Sequence, residues 1–394
     1  MPRYIIDEAA LRRNLEILKS VSDRAGVKIL LAQKAFSCAA TYPLCAQYLA
    51  GTTASSLFEA RHGHDNFGGE THVFAPAFAP EEMDELLGLV DHIVFNSPRQ
   101  IEKFGAMARA RGVSIGLRVN PEVSVATTPA YDPCRPSSRL GTTVQGLKVS
   151  KFESLQPLNP EIPKHRNIET LDGLHFHCLC EQGVEELRKV LAGFEEKFGY
   201  MLPQMKWVNF GGGHHITRAD YDVDGLVRLL NDFHARHPHL EVYLEPGEAV
   251  ALNAGTLESR VLEIQPVGPD GISNAILDVS AACHMPDVLE MPYTPRIINA
   301  TNHESRTTNH EPRAFLYRFG GPTCLAGDEI GTYRFDHPLH EGDTVIFEDM
   351  AIYSMVKNNT FNGVNLPDIA IRHEDGRIET LRTFGYADFA SRLG

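Results

Sequence analysis

The chain has 394 residues, 43% hydrophobic and 22% charged, with a formal net charge of -14 at pH 7. That length suits a large barrel plus a second domain, and the composition is that of a globular chain. The acidic balance excludes nucleic acid, which needs a basic face, and suits a small cationic ligand. No stretch of about 18 apolar residues is present, so no membrane span is expected.

The opening residues, MPRYIIDEAALRRN, lack the apolar core and cleavage site of a secretory signal. RYIID (3–7) reads as a strand, followed by a first helix, EAALRRNLEILKSV. Short apolar runs then recur: VKILLA (27–32), GTTAS (51–55), THVFA (71–75), DHIVF (91–95), VSIGLRV (113–119), LDGLHFH (171–177), KWVNF (206–210) and EVYLE (241–245). Helical patterns lie between most of them, such as PEEMDELLGLV (80–90) and SPRQIEKFGAMARARG (97–112), the latter closed by a glycine. Eight strands alternating with helices match an α/β fold, a (β/α)8 TIM-like barrel, over residues 8–250. The Pro- and Ser-rich segment 120–170 reads as an insertion over the barrel mouth. From residue 251 to 394 short alternating runs and turns replace the helices, which predicts a C-terminal antiparallel β domain. Strand 1–7 is expected to join it.

Barrel enzymes carry their chemistry at the C-terminal ends of the strands. Here those ends present Lys34, Arg118, His177, the run Gly211-Gly212-Gly213, and Glu245 followed by Pro-Gly. Each is ambiguous alone. A strand-end lysine can snorkel, a histidine can be a satisfied core group, and Gly-Gly-Gly or Glu-Pro-Gly can be a turn. Together they answer the needs of one cofactor. Pyridoxal phosphate requires an amine, a phosphate cradle, a ring-stacking group and a partner for its pyridine nitrogen.

The motifs AQKAFS, HFH, GGG and EPG, in this order, resemble the fold type III pyridoxal phosphate-dependent decarboxylases, the group of ornithine and diaminopimelate decarboxylases. GGPTCLAGD (320–328) resembles that family's cysteine loop, and YSMVKNNTFNG (353–363) its closing tyrosine segment. TTASSLFEAR, GLRVNPEVS, YDPCRPSSRLG and CHMPDVLEMPY are similar to the carboxynorspermidine (carboxyspermidine) decarboxylase branch.

The resemblance implies that Lys34 carries pyridoxal 5'-phosphate covalently. It implies His177 against the ring face, Gly211, Gly212 and Gly213 at the phosphate through their amides, Tyr353 as a further phosphate donor, and Glu245 at the pyridine nitrogen. Arg118 is read as a cofactor-site residue, either under the ring or beside a carboxylate. Cys324 is the implied general acid, delivered by the second subunit of a homodimer with shared active sites. The sequence departs from ornithine decarboxylases at Glu248 (an arginine there), Cys180 (a serine) and Leu325 (an acid). These departures point to a longer cationic substrate, with Glu248, Asp287 and Asp328 as its contacts.

The expected activity is decarboxylation of carboxynorspermidine or carboxyspermidine in polyamine biosynthesis. The alternative is diaminopimelate or another basic amino acid. A non-catalytic cofactor carrier is disfavoured by the β domain and Cys324. The seven cysteines are odd in number, scattered and without CxxC spacing, which reads as reduced thiols in a cytoplasm. Cys178 and Cys180 are assigned only packing. The histidines of RHGH (61–64) and at 214 and 215 show no third ligand, so no metal is expected.

Overall fold

A computed structural model describes residues 2–150, 171–298, 301–302 and 315–394. Residues 151–170 of the expected insertion, and 310–314 of one expected run of the β domain, lie outside the described residues. The chain divides into two compact units, Asn14–Val250 and Met1–Arg13 with Ala251–Gly394.

After β1 (Arg3–Asp7) come eight strands that close into a parallel barrel: β2 (Lys28–Ala32), β3 (Gly51–Ala54), β4 (Glu70–Phe74), β5 (His92–Phe95), β6 (Ser114–Arg118), β7 (Gly173–His175), β8 (Trp207–Asn209) and β9 (Glu241–Leu244). Lys28 pairs with Tyr243 across the closing seam. All eight expected strands are present; six are trimmed by a residue or two, β4 is shifted back by one, and β7 is four residues shorter.

The interior explains two odd features of the sequence. The one tryptophan, Trp207, fills the barrel beside Leu30, Val94 and Tyr243. A Cβ on Gly173 would stand 2.1 Å from its indole and one on Gly116 2.4 Å away, so both strands need glycine there. Trp207 Nε1 donates to Ser114 Oγ at 2.9 Å, so the buried indole keeps a partner. The weak second strand starts at Gly51 for the same kind of reason, since a Cβ would meet Glu70 O at 1.9 Å.

The long helices follow their caps. Ser56 caps Leu57–Asn66 through Oγ, and Asp222 caps Val223–Arg236, accepting from Gly225 N at 2.7 Å. PEEMDELLGLV is shorter than its pattern suggests: a 3₁₀ turn over Pro80–Glu82 and one turn over Met83–Leu86. Ala79 offers no side-chain cap, and a helix this short has little to hold it without one.

Among the described residues the second unit is a nine-stranded sheet. Its strands are β1, β10 (Gly255–Ile264), β11 (Ser273–Leu277), β12 (Thr301–Asn302), β13 (Phe315–Gly320), β14 (Glu329–Phe335), β15 (Thr344–Glu348), β16 (Asp368–Arg372) and β17 (Ile378–Arg382). β1 lies between β10 and β16. The sheet is mostly antiparallel, with two parallel pairs, β1 with β16 and β11 with β13. Phe319, Tyr333 and Phe347 form its aromatic core. Among the described residues no helix is long and apolar enough to cross a membrane.

Candidate active site

The barrel mouth holds a pocket lined by Ala32, Lys34, Thr53, Ala54, Ser55, Phe74, Arg118, His175, His177 and Glu245. Lys34, Arg118, His177 and Glu245, named from four strand ends, therefore line one pocket. Lys34 stands two residues beyond β2, on a turn. Buried Gln33 pins that turn: its amide donates to Thr53 O (3.2 Å), its Nε2 to Glu59 O (2.8 Å), and Tyr42 donates to its Oε1 (3.0 Å). Gly247 lets the Glu-Pro-Gly turn approach, since a Cβ would lie 2.7 Å from Ala35 Cβ.

The Lys34 side chain is open to the pocket yet ringed by the barrel rim. Desolvation pushes its amine pKa down, and the Arg118 charge adds to this against the pull of Glu245 and Glu59. No carboxylate forms an ion pair with it among the described residues. A larger fraction of it is neutral, as a nucleophilic amine must be.

Glu245 behaves oppositely. Burial alone would raise its pKa, but the His175 and His72 charges and hydrogen bonds from His175 and Asn209 bring it to about 2. Asn209 Nδ2 donates to Oε1 at 2.8 Å, and His175 Nε2 lies 3.1 Å from Oε2. The carboxylate is ionised across the working pH range. His177 is pushed well below the usual histidine value by desolvation and then by Lys34 and Arg118, so its ring is neutral. Its Nδ1 accepts the Gly212 amide at 3.0 Å, which leaves the proton on Nε2. Arg118 donates to His177 O at 3.0 Å and lies 4.4 Å from the Phe74 ring centre.

The glycine run works differently from the sequence expectation. Gly211 N–H donates to Asn209 Oδ1 at 2.8 Å and Gly212 N–H to His177 Nδ1, so two of the three amides serve the protein. Gly213 is the one whose amide has no acceptor among the described residues. The run is glycine because the strand ends crowd together. A Cβ would lie 2.0 Å from Glu245 O at Gly212 and 1.9 Å from Leu179 O at Gly213. Gly211 and Gly213 also adopt left-handed backbone, at φ 68° and 85°.

The acids expected to meet substrate each have partners within the protein. Glu248 does not line the pocket, and its carboxylate lies 3.0 Å from His215 Nε2. Asp328 is buried, accepting from Ser280 Oγ (2.9 Å), Ala282 N (3.2 Å) and Thr323 Oγ1 (2.7 Å). Those bonds hold the loop that carries Cys324. Asp287 and Glu290 grip Lys357 between them. Cys324 is exposed, with its amide donating to Asn362 Oδ1 at 2.8 Å. Tyr353 belongs to the same unit and has left-handed backbone at φ 49°.

Sequence reasoning missed His175, Asn209, Thr53 and Ser55. His175 was findable: HFH has the period of a strand, so both histidines share a face. Among the described residues Glu70, His72 and His92 bring three ligand-type atoms within 4.8 Å of one another. The His72 and His92 rings stack at 4.0 Å and 8°, so an ion in the plane of one is out of the plane of the other. Lys28 already pairs with Glu70. This geometry does not suit a metal.

The groups that line the pocket fit pyridoxal phosphate: a depressed primary amine, a fixed carboxylate and a neutral imidazole. Comparison with known proteins agrees. Residues 4–351 match the family described as pyridoxal-dependent decarboxylase, C-terminal sheet domain. The carboxynorspermidine/carboxyspermidine decarboxylase of Campylobacter jejuni is 40% identical over 399 residues, covering 99% of this chain and 98% of that protein. The carboxyaminopropylagmatine decarboxylase of Synechocystis is also 40% identical, covering 100% of this chain and 95% of that protein. The crystal structure of the Campylobacter jejuni carboxynorspermidine decarboxylase complexed with norspermidine superposes with a TM-score of 0.88 at 39% identity, covering 100% of this chain and 99% of that one. The chain belongs to the pyridoxal-dependent decarboxylase family.

Proposed function

We propose that the barrel-mouth pocket decarboxylates a carboxylated triamine, carboxynorspermidine or carboxyspermidine, releasing norspermidine or spermidine. The observation that carries this is the meeting of Lys34, Glu245 and neutral His177 in one pocket of a chain so similar to such enzymes. When bound, pyridoxal phosphate supplies an electrophilic carbonyl for the substrate amine and a sink for the electrons left behind by carbon dioxide.

The chain's residues do the rest. Lys34, lowered by its surroundings, offers a neutral amine that would hold the cofactor. Glu245 keeps a negative charge in the pocket and would hold a proton on the pyridine nitrogen. His177, held by the Gly212 amide, would bind the ring face. Gly213 and Tyr353 would donate to the phosphate. Arg118 braces the His177 backbone and adds positive potential at the rim. Cys324, in a homodimer with shared sites, carries the proton to the substrate carbon of the partner subunit. Glu248 and Asp287 attract the ammonium groups of the tail. The working compartment is the cytoplasm, consistent with seven free cysteines.

A second reading has a specific support. The Synechocystis relative is as similar as the Campylobacter one, and its name ends the substrate in an agmatine group. Purified enzyme assayed with carboxynorspermidine, carboxyspermidine, carboxyaminopropylagmatine and diaminopimelate decides. Highest kcat/KM on a carboxylated triamine is expected. Faster turnover of carboxyaminopropylagmatine establishes the second reading, and fastest turnover of diaminopimelate defeats both.

A further inference from the structure

Asn209 ends β8 and is fully buried, and Glu245 follows directly on β9. The two ends of the Asn209 amide make different bonds. Nδ2 donates to Glu245 Oε1, and Oδ1 accepts the Gly211 amide, both at 2.8 Å. A carboxylate needs a donor and a backbone N–H an acceptor, so only this orientation of the amide serves both. A third bond closes the circuit, because Glu245 N–H donates to Gly211 O at 2.8 Å. Three residues from two strand ends thus form one ring of hydrogen bonds. The carboxylate is tied to the turn that opens the glycine run, where Gly211 sits at φ 68°.

The kind of donor decides what charge is left over. The other oxygen of Glu245, Oε2, lies 3.1 Å from His175 Nε2. A carboxylate only accepts, so that nitrogen carries a proton. His175 Nδ1 is buried and has no hydrogen-bond partner among the described residues. An imidazolium would bury a second N–H there with no acceptor, which costs free energy, so at working pH the ring is neutral. Burial lowers its pKa in the same sense. Arg118 lines the same pocket but bonds His177 O instead. Neutral groups therefore hold both oxygens of Glu245. A lysine or arginine at position 209 could hold the carboxylate too, but would cancel its charge. An amide fixes its position and leaves that charge for a ligand nitrogen.

We propose that Asn209 is a positioning residue for decarboxylation: its uncharged amide holds the Glu245 carboxylate for the cofactor's pyridine nitrogen and locks it to the Gly211 turn. This role rests on Glu245 serving that nitrogen, as proposed above. Without the Nδ2 donor, burial of Glu245 is less opposed, so its pKa rises, and the carboxylate is free to turn about its remaining bond to His175. The pyridine nitrogen then keeps its proton less well, and the electron sink weakens. The two arms of Asn209 can be separated. Leucine, of similar volume, removes both bonds. Serine keeps a short oxygen that can accept the Gly211 amide two residues on, but it does not reach Glu245.

The test compares wild-type, Asn209→Leu and Asn209→Ser holoenzymes loaded with pyridoxal phosphate labelled with nitrogen-15 in the ring. The nitrogen chemical shift, followed against pH, reports the ring proton without any turnover. The wild-type nitrogen should stay protonated. In both variants an unprotonated signal should appear and grow as pH rises. With cofactor saturating, kcat on a carboxylated triamine should fall about tenfold or more, and KM should stay within about threefold. Asn209→Ser decides if Asn209→Leu fails to fold. The proposal is overturned if Asn209→Ser, or folded Asn209→Leu, keeps the wild-type nitrogen signal and kcat, since a purely structural asparagine would change stability alone. A wild-type nitrogen without its proton overturns the role of Glu245, and that of Asn209 with it. A protonated wild-type nitrogen with no turnover of either triamine defeats the substrate reading only, and the nitrogen signals of the variants still decide on Asn209.

Discussion

The two ends of the barrel carry the same residue types and do opposite things with them. At the N-terminal end Lys28 pairs with Glu70 and Glu241, the latter at 2.7 Å, and Tyr243 donates to Glu241 at 2.6 Å. His72 Nε2 lies 3.0 Å from Glu70. At the mouth Lys34, Glu245, His175 and His177 gather with Arg118, and Lys34 has no ion pair among the described residues. Burial lowers both lysines, but two carboxylates more than offset it at Lys28, whose pKa is raised, while Lys34 stays lowered. A lysine with its charge satisfied is structural; one denied a partner beside an open pocket is chemical. The acids differ too. Glu70 is held near 2 by the His72 and Lys28 bonds, in a closed network, whereas Glu245, also near 2, faces a space where a ligand nitrogen fits.

The largest effect that separates the ends is loss of the mouth lysine. Lys34→Ala should cut decarboxylation by about three orders of magnitude or more while leaving far-ultraviolet dichroism unchanged. The visible absorbance of bound cofactor should vanish with it. Retained visible absorbance and turnover would place the reactive amine elsewhere. Lys28→Met should leave kcat nearly unchanged, and a comparable fall there would erase the contrast.

A step smaller, Glu245→Gln should lower kcat by about a hundredfold, since the pocket loses its fixed charge. Cys324→Ala should keep the cofactor absorbance and lose turnover by a similar factor, about a hundredfold. Mixing inactive Lys34→Ala and Cys324→Ala proteins should restore part of the activity if the sites are shared. No recovery under conditions where subunits exchange would mean that each chain works alone.

Much of this was legible in the sequence because barrel strands are local objects. Apolar runs bounded by turns located all eight, and reading only their ends isolated Lys34, Arg118, His177 and Glu245. What escaped was set by non-local contacts. That Gly211 and Gly212 spend their amides on Asn209 and His177 depends on three strand ends meeting. That Asp328 is tied up by Ser280 and Thr323 depends on residues 48 positions apart closing on each other. The parallel pairs of the β sheet join strands far apart in the chain, which alternation cannot reveal. The Lys28 network was invisible because a lysine at a strand start reads as solvated.

The N-terminal cluster can be broken without touching the chemistry. Glu70→Gln should cost on the order of 1–2 kcal/mol of stability, because it leaves Lys28 and His72 short of a partner at a half-buried site. Chemical denaturation should show it with kcat preserved.

The smallest and most discriminating change is in pH dependence. Burial, aided by the neighbouring His72, lowers His92 from 6.5 to about 3 in the folded chain. Between those values the unfolded chain takes up a proton that the folded one refuses, so stability present above pH 6.5 is lost as pH falls towards 3. Glu70, lowered from 4.5 to about 2, acts in the same direction: its contribution is full above 4.5 and lost as pH falls towards 2. From pH 6.5 to 4.5 the unfolded chain's His92 takes up a proton while Glu70 stays ionised in both states. His92→Phe should therefore flatten the stability slope by about one proton, roughly 1.4 kcal/mol per pH unit, from pH 6.5 down towards 3, while Glu70 and Glu245 still steepen it below 4.5. Denaturant melts at half-unit intervals would measure it. An unchanged slope in His92→Phe would mean that this ring is protonated in the folded barrel, and that the N-terminal end is less closed than its ion pairs imply.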